Sequence, residues 1–235
     1  MIEQSRWAWR VSRIIAIGAF LLGSAAQADV NEPFGLATAV APEGPLWVTW
    51  RRLQSEIQAE KLIVARCRAE PDSCSSPAAL RFIAIVDGGR QHEGLIRIKH
   101  INRAVNLSIR PLRSGAEPGI DPLWTSPLAA LASSAGDCKQ YSTLKYAMLS
   151  DAGVAPDDLR LIIVFIKSLH ESHAVLAVRN AGRWLILDNR TLMLIDSQEL
   201  RDYLPLYALD DRGVSRFVHK VSPKIADVPC GAAIN

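Results

Sequence analysis

Ala135-Gly136-Asp137-Cys138-Lys139-Gln140-Tyr141 is the stretch on which the fold of this chain turns. Tyr141, Leu144, Met148 and Ala152 follow at helical spacing, Gly153 suits a C-terminal stop, and Pro156 lies just beyond. The pattern predicts a helix with Asp137 at the N-cap and Cys138 in the first turn. The unpaired N–H groups and positive dipole end of such a turn favour thiolate over thiol, and so a better nucleophile. A cysteine at a helix start can equally be a small core hydrophobe, so the stretch needs partners before it implies chemistry.

Three apolar runs follow that helix: Leu159 to Ile166, Ala174 to Val178 and Trp184 to Leu187. Rich in Ile, Val and Leu, they read as strands buried on both faces. Asn180-Ala181-Gly182 lies between the last two and predicts a hairpin. A loop of Asn180-Ala181 puts His173 directly opposite Asp188. A loop of Ala181-Gly182 offsets them by two residues. Either of these registers keeps both side chains on one sheet face, whereas a three-residue loop with a bulge would break the alignment. A carboxylate beside an imidazole fixes its tautomer and stabilises imidazolium, which leaves the other ring nitrogen to take a proton from a nucleophile.

Upstream, Trp47, Trp50, Leu53 and Ile57 mark an amphipathic helix over 46–66. A loop over 67–76 follows, then a short helix from Pro77 to about Val86 that Asp87-Gly88-Gly89 breaks. Leu95, Ile98, Ile101 or Asn102, and Val105 define a helix over 93–107, with His92 and His100 read as surface or core residues. A Gly/Pro-marked loop over 114–125 brings Asp121 and Trp124 up to the cysteine segment, and a short helix starts near Pro127. Trp124 is expected to pack rather than bind. The segment 29–45 reads as an extended surface arm. The tail from Asp196 either adds a strand or wraps the sheet.

The first 28 residues stand apart. Arg6, Arg10 and Arg13 precede an apolar run from Ile14 to Leu22, and Ala26-Gln27-Ala28 offers a cleavage pattern. The pattern predicts a secretory signal cut after Ala28, with an apolar run too short to span a bilayer comfortably. Its removal leaves 24 basic and 23 acidic side chains. With no basic stripe interleaved with aromatics, charge gives no support to nucleic-acid binding. Export permits disulfides, and Cys67 and Cys74 enclose a short loop that a bridge would close. Their spacing is wide for a zinc hairpin and no second Cys/His pair accompanies them. Cys230, in a Pro/Gly-rich tail, is left open.

A cysteine at a helix start, a histidine on the next strand but one and an aspartate across the hairpin follow the order of papain-like and transglutaminase-like enzymes. The expected class is α+β, with helices packed on an antiparallel sheet and the nucleophile at a helix N-terminus. Asp121 to Pro127, Gly136-Asp137-Cys138 with Tyr141 and Lys145, Ser172-His173-Ala174-Val175-Leu176 and Leu187-Asp188-Asn189 together resemble the bacterial transglutaminase-like cysteine proteinases of the LapG type. The likeness covers roughly Trp47 to Tyr207, within one domain over 29–235 whose helical part spans about 46–134 and whose catalytic helix and sheet span about 135–207. The resemblance implies a Cys138 nucleophile, a His173 base and an orienting Asp188. It also implies a periplasmic endopeptidase that clips large surface adhesins in biofilm control, held back by an inner-membrane receptor. The family's calcium dependence is not carried over, because Lys139-Gln140 stands where acidic residues are usual, and calcium favours carboxylate ligands; no metal or other cofactor is expected. Lys139 would favour a thiolate or point into solvent. Two rivals stay open: transamidation to an amine, and a non-catalytic exported binding module.

Overall fold

A computed structural model describes residues 32–112 and 124–219. The leader, Asp121 and Cys230 lie outside the described residues. The helix expected at the cysteine runs Cys138–Asp151. Asp137 caps it, its carboxylate accepting the Lys139 N–H at 2.9 Å while the Gln140 side-chain oxygen accepts the Asp137 N–H at 3.0 Å. This reciprocal capping box satisfies two donors that the helix cannot satisfy itself. Gly153, at φ +93°, turns the chain away at the other end. Spacing alone predicted one apolar face, yet every residue from Cys138 to Leu149 is buried. The helix is enclosed because other helices cover the side that a sheet leaves bare.

Those helices are α1 (Pro45–Ala69), α2 (Pro77–Arg90), α3 (Gly94–Ser108) and α4 (Pro127–Ser133), which makes the cysteine helix α5. Two boundaries differ from expectation. Helix α1 continues through Cys67, which nonetheless forms the expected disulfide with Cys74. Helix α2 does not stop at Asp87-Gly88-Gly89. A Cβ at Gly88 would lie 2.6 Å from the His100 ring, and one at Gly89 2.7 Å from the Ile101 side chain. The glycines are therefore the close-approach surface between α2 and α3, and that packing offsets their poor helix propensity.

Among the described residues one seven-stranded antiparallel sheet backs α5. It comprises β1 (Thr38–Val40), β4 (Leu159–Ile166), β5 (Glu171–Asn180), β6 (Arg183–Leu187), β7 (Leu194–Asp196), β8 (Tyr203–Asp210) and β9 (Gly213–Phe217), in the order β1-β9-β8-β4-β5-β6-β7. Two short strands, β2 (Arg110–Pro111) and β3 (Ala135–Gly136), pair separately. The arm expected on the surface thus supplies an edge strand. The tail supplies β8, which lies near the middle of the sheet beside β4.

The central strands are apolar throughout because both faces are covered. Ala174, Leu176 and Val178 join the core around α5. Val175 and Ala177 pack on the opposite face with Ile162, Val164, Ile186 and Phe217, under Phe34, Leu36, Leu200 and Tyr203. The β5–β6 hairpin pairs Asn180 with Arg183 around Ala181-Gly182, both at positive φ. This is the second of the two registers, with His173 and Asp188 offset by two on one face.

Candidate active site

Cys138 opens α5 and is buried. Its sulfur is held in a disulfide in this structure, so any nucleophilic chemistry at this position begins with reduction to the thiol. On either side of it, Asp137 and Lys139 face each other, with Lys139 Nζ 2.8 Å from Asp137 Oδ2 and the side chains only 11% and 10% exposed. Lys139 therefore does not point into solvent. Its stem folds back along the first turn because the capping carboxylate lies two residues before it.

His173 stands near the start of β5, buried, with its Nε2 2.8 Å from Asp188 Oδ1. With Nε2 donating to the carboxylate, Nδ1 is left as the acceptor. Asp188 follows β6 directly, and its oxygens are shared out precisely enough to fix it. Oδ1 also accepts the Arg190 N–H at 3.0 Å, and Oδ2 accepts the Tyr203 hydroxyl at 2.6 Å. Burial alone would raise the Asp188 carboxyl. The hydrogen bond and charge of His173, with the Tyr203 and Arg190 donors, outweigh it and hold the carboxyl well below the usual range. Tyr203 also sets its ring edge-on to the imidazole, with centroids 6.3 Å apart.

The backbone around Asp188 is held from the helix layer. Asn106 Nδ2 donates to the carbonyls of Asp188, at 3.0 Å, and Thr191, at 2.9 Å, while Asn102, one turn earlier on α3, donates to that of Leu192. Lys145 Nζ, fully buried on α5, donates to the Leu187 carbonyl at 3.3 Å. Burial lowers this ammonium to about pKa 7, against the opposing pull of Asp188. A salt bridge between Arg190 and Glu171 ties the far side of the loop to the start of β5.

The structure thus brings His173 and Asp188 into direct contact, and places Cys138 at the start of the helix that packs along β5. No hydrogen bond from Cys138 to His173 occurs among the described residues. Sequence reasoning gave no role to Tyr203, Asn106 or Lys145. Lys145 entered only as one of the residues that carry the family resemblance. Trp124 packs edge-on against Trp50 of α1, which packs in turn on Tyr146 of α5. The His92 and His100 rings lie 5.6 Å apart at a tilt of 48°, with His100 against α2. Among the described residues no group of three or more His, Cys, Asp or Glu side chains is arranged to hold a metal ion.

The model of one protein family, the bacterial transglutaminase-like cysteine proteinases, matches residues 62–203. The chain belongs to that family. The matched span contains Cys138, His173, Asp188 and, as its last residue, Tyr203. No curated protein matches the chain significantly. Among solved structures, Legionella pneumophila LapG is similar at 22% identity, over 65% of this chain and 87% of that one, with a TM-score of 0.56. Its calcium-bound form is similar at 20% identity, over 70% and 92%, and its EGTA-treated form at 21%, over 68% and 88%, both with a TM-score of 0.57. At these identities the likeness establishes the fold, which among the described residues is five α-helices against an antiparallel sheet. As a member of this proteinase family the chain is a cysteine peptidase in class. None of the helices among its described residues is long and apolar enough to cross a membrane.

Proposed function

We propose that this proteinase is an exported, periplasmic endopeptidase whose triad is Cys138, His173 and Asp188, and that it processes a large cell-surface adhesin under the control of an inner-membrane receptor. The observation that carries the catalytic part is the buried His173–Asp188 hydrogen bond, with both carboxylate oxygens occupied. An imidazole fixed in this way has one tautomer and one nitrogen, Nδ1, to offer a nucleophile.

Once reduced, Cys138 gives up its proton to His173, and the thiolate attacks a peptide carbonyl. The imidazolium protonates the departing amine, and water then hydrolyses the thioester with His173 as base. The Cys138 backbone N–H, at the positive end of α5, is the oxyanion donor this reading assigns. Asp188 stays ionised throughout and orients the ring.

A LapG structure is calcium-bound. In this chain the carboxylate beside the nucleophile already meets the Lys139 ammonium at 2.8 Å. The residues present do not suit a divalent cation, and no step above uses one.

Comparing the surface and secreted proteins of cells carrying wild type with those carrying Cys138→Ala tests the reading. A large surface protein shortened only by the wild type supports it. Identical protein profiles in both strains would remove its main content.

A further inference from the structure

Asp137 and Lys139 flank the nucleophile on both sides, and one residue answers the other twice. The Lys139 backbone N–H donates to Asp137 Oδ1 at 2.9 Å, and its ammonium lies 2.8 Å from Oδ2. Both side chains are about nine-tenths removed from solvent. A carboxylate drawn out of water beside a catalytic sulfur needs a cation nearby, because burial disfavours its charge. Here the cation is covalently part of the chain. A divalent ion approaching Oδ2 would have to displace an ammonium that is already desolvated, or share the oxygen with a like charge.

We propose that Lys139 is a built-in counter-ion which holds the Asp137 cap in place of a bound calcium ion, so that the helix start carrying Cys138 is assembled without metal. Calcium sites are built from several oxygen ligands, and this position supplies a nitrogen cation instead. The inference concerns the charge balance of the helix start, and it stands whether the thioester is resolved by water or by an amine.

The test needs no substrate, so its failure is separable from failure of the peptidase reading. The whole chain, freed of metal with EGTA, is unfolded thermally in EGTA and in about 5 mM CaCl2, above the weakest extracellular calcium affinities. The wild type is expected to melt at the same temperature in both, and CaCl2 titrated in a calorimeter to give no saturable binding. A calcium-dependent rise of about 2 °C or more, or saturable binding at or below about 1 mM, would overturn the proposal. Lys139→Met is expected to melt about 5 °C lower in EGTA, and Lys139→Arg to recover most of that loss. A Lys139→Met melting temperature equal to wild type would also overturn it. Should Lys139→Met fail to fold, Lys139→Arg and the wild-type calcium comparison still decide the matter.

Discussion

Replacing Lys145 by Met should change how the stability of this protein depends on pH, by an amount the structure fixes. The Lys145 ammonium is enclosed in α5, donates to the Leu187 carbonyl and titrates at about 7 instead of the ordinary 10.5, chiefly through burial. Below pH 7 the folded and unfolded chains both hold the proton, so the full cost of burying the charge is present and constant. Between pH 7 and 10.5 the unfolded chain keeps the proton and the folded chain sheds it, so stability rises with pH. Integrating the difference in bound protons from pH 7 to pH 9 gives a gain of about 2 kcal/mol. For a domain of this size that corresponds to a rise of about 4–8 °C in melting temperature. Lys145→Met removes the titrating group while keeping a flexible apolar stem of similar length. The assay is urea unfolding at closely spaced pH values, wild type minus variant, so that other titrating groups cancel. The reasoning predicts a difference that grows by about 2 kcal/mol in favour of wild type from pH 7 to 9. A difference that stays flat would mean that Lys145 does not titrate in this window, and would refute the account of the charge beneath Asp188.

Tyr203→Phe keeps the ring against His173 and deletes the hydroxyl at Asp188 Oδ2. It should cost about 1.5–3 kcal/mol by urea unfolding, and clearly less when Asp188 is already Asn; fully additive losses would contradict the contact. Because the proposed nucleophile Cys138 is held in a disulfide, purified protein should be inactive without reductant, and dithiothreitol should raise peptidase activity at least about tenfold. The same gain in a Cys67→Ala/Cys74→Ala variant assigns the effect to Cys138, while activity indifferent to reductant contradicts it. If water resolves the thioester, adding a labelled primary amine with a glutamine peptide yields hydrolysis without label incorporation. Label incorporation without hydrolysis would point to transamidation instead.

Local chemistry made much of the fold legible. Asp137 announces a capped helix because the donor it satisfies lies within one turn. Gly182 announces a hairpin, and the observed register was one of the two that the loop residues allowed. What was illegible depends on partners distant in sequence. Gly88-Gly89 reads as a break until His100 and Ile101 are seen lying across it. Tyr203 is the sharpest case. Strand β8 pairs with β4 through a slip between Ile163 and Val164, before which Ile163 faces Tyr207 and after which Val164 faces Pro205. That one extra residue, Leu206, sets Tyr203 opposite Ile166 and so on the face of His173; without it Tyr203 would point away. No pattern in the tail encodes such a bulge. The same holds for Asn102 and Asn106, polar residues on an otherwise ordinary helix, whose acceptors lie more than eighty residues away.

The central claim, that Cys138 is a nucleophile served by His173, is tested most directly by the rate at which iodoacetamide modifies Cys138 in the reduced protein as pH is varied. A thiolate paired with imidazolium at a helix start should react at pH 6 nearly as fast as at pH 8, and His173→Ala should return the profile to that of an ordinary thiol with a pKa of about 8.5. A wild-type profile already centred near that ordinary value, and unchanged in His173→Ala, would contradict the claim.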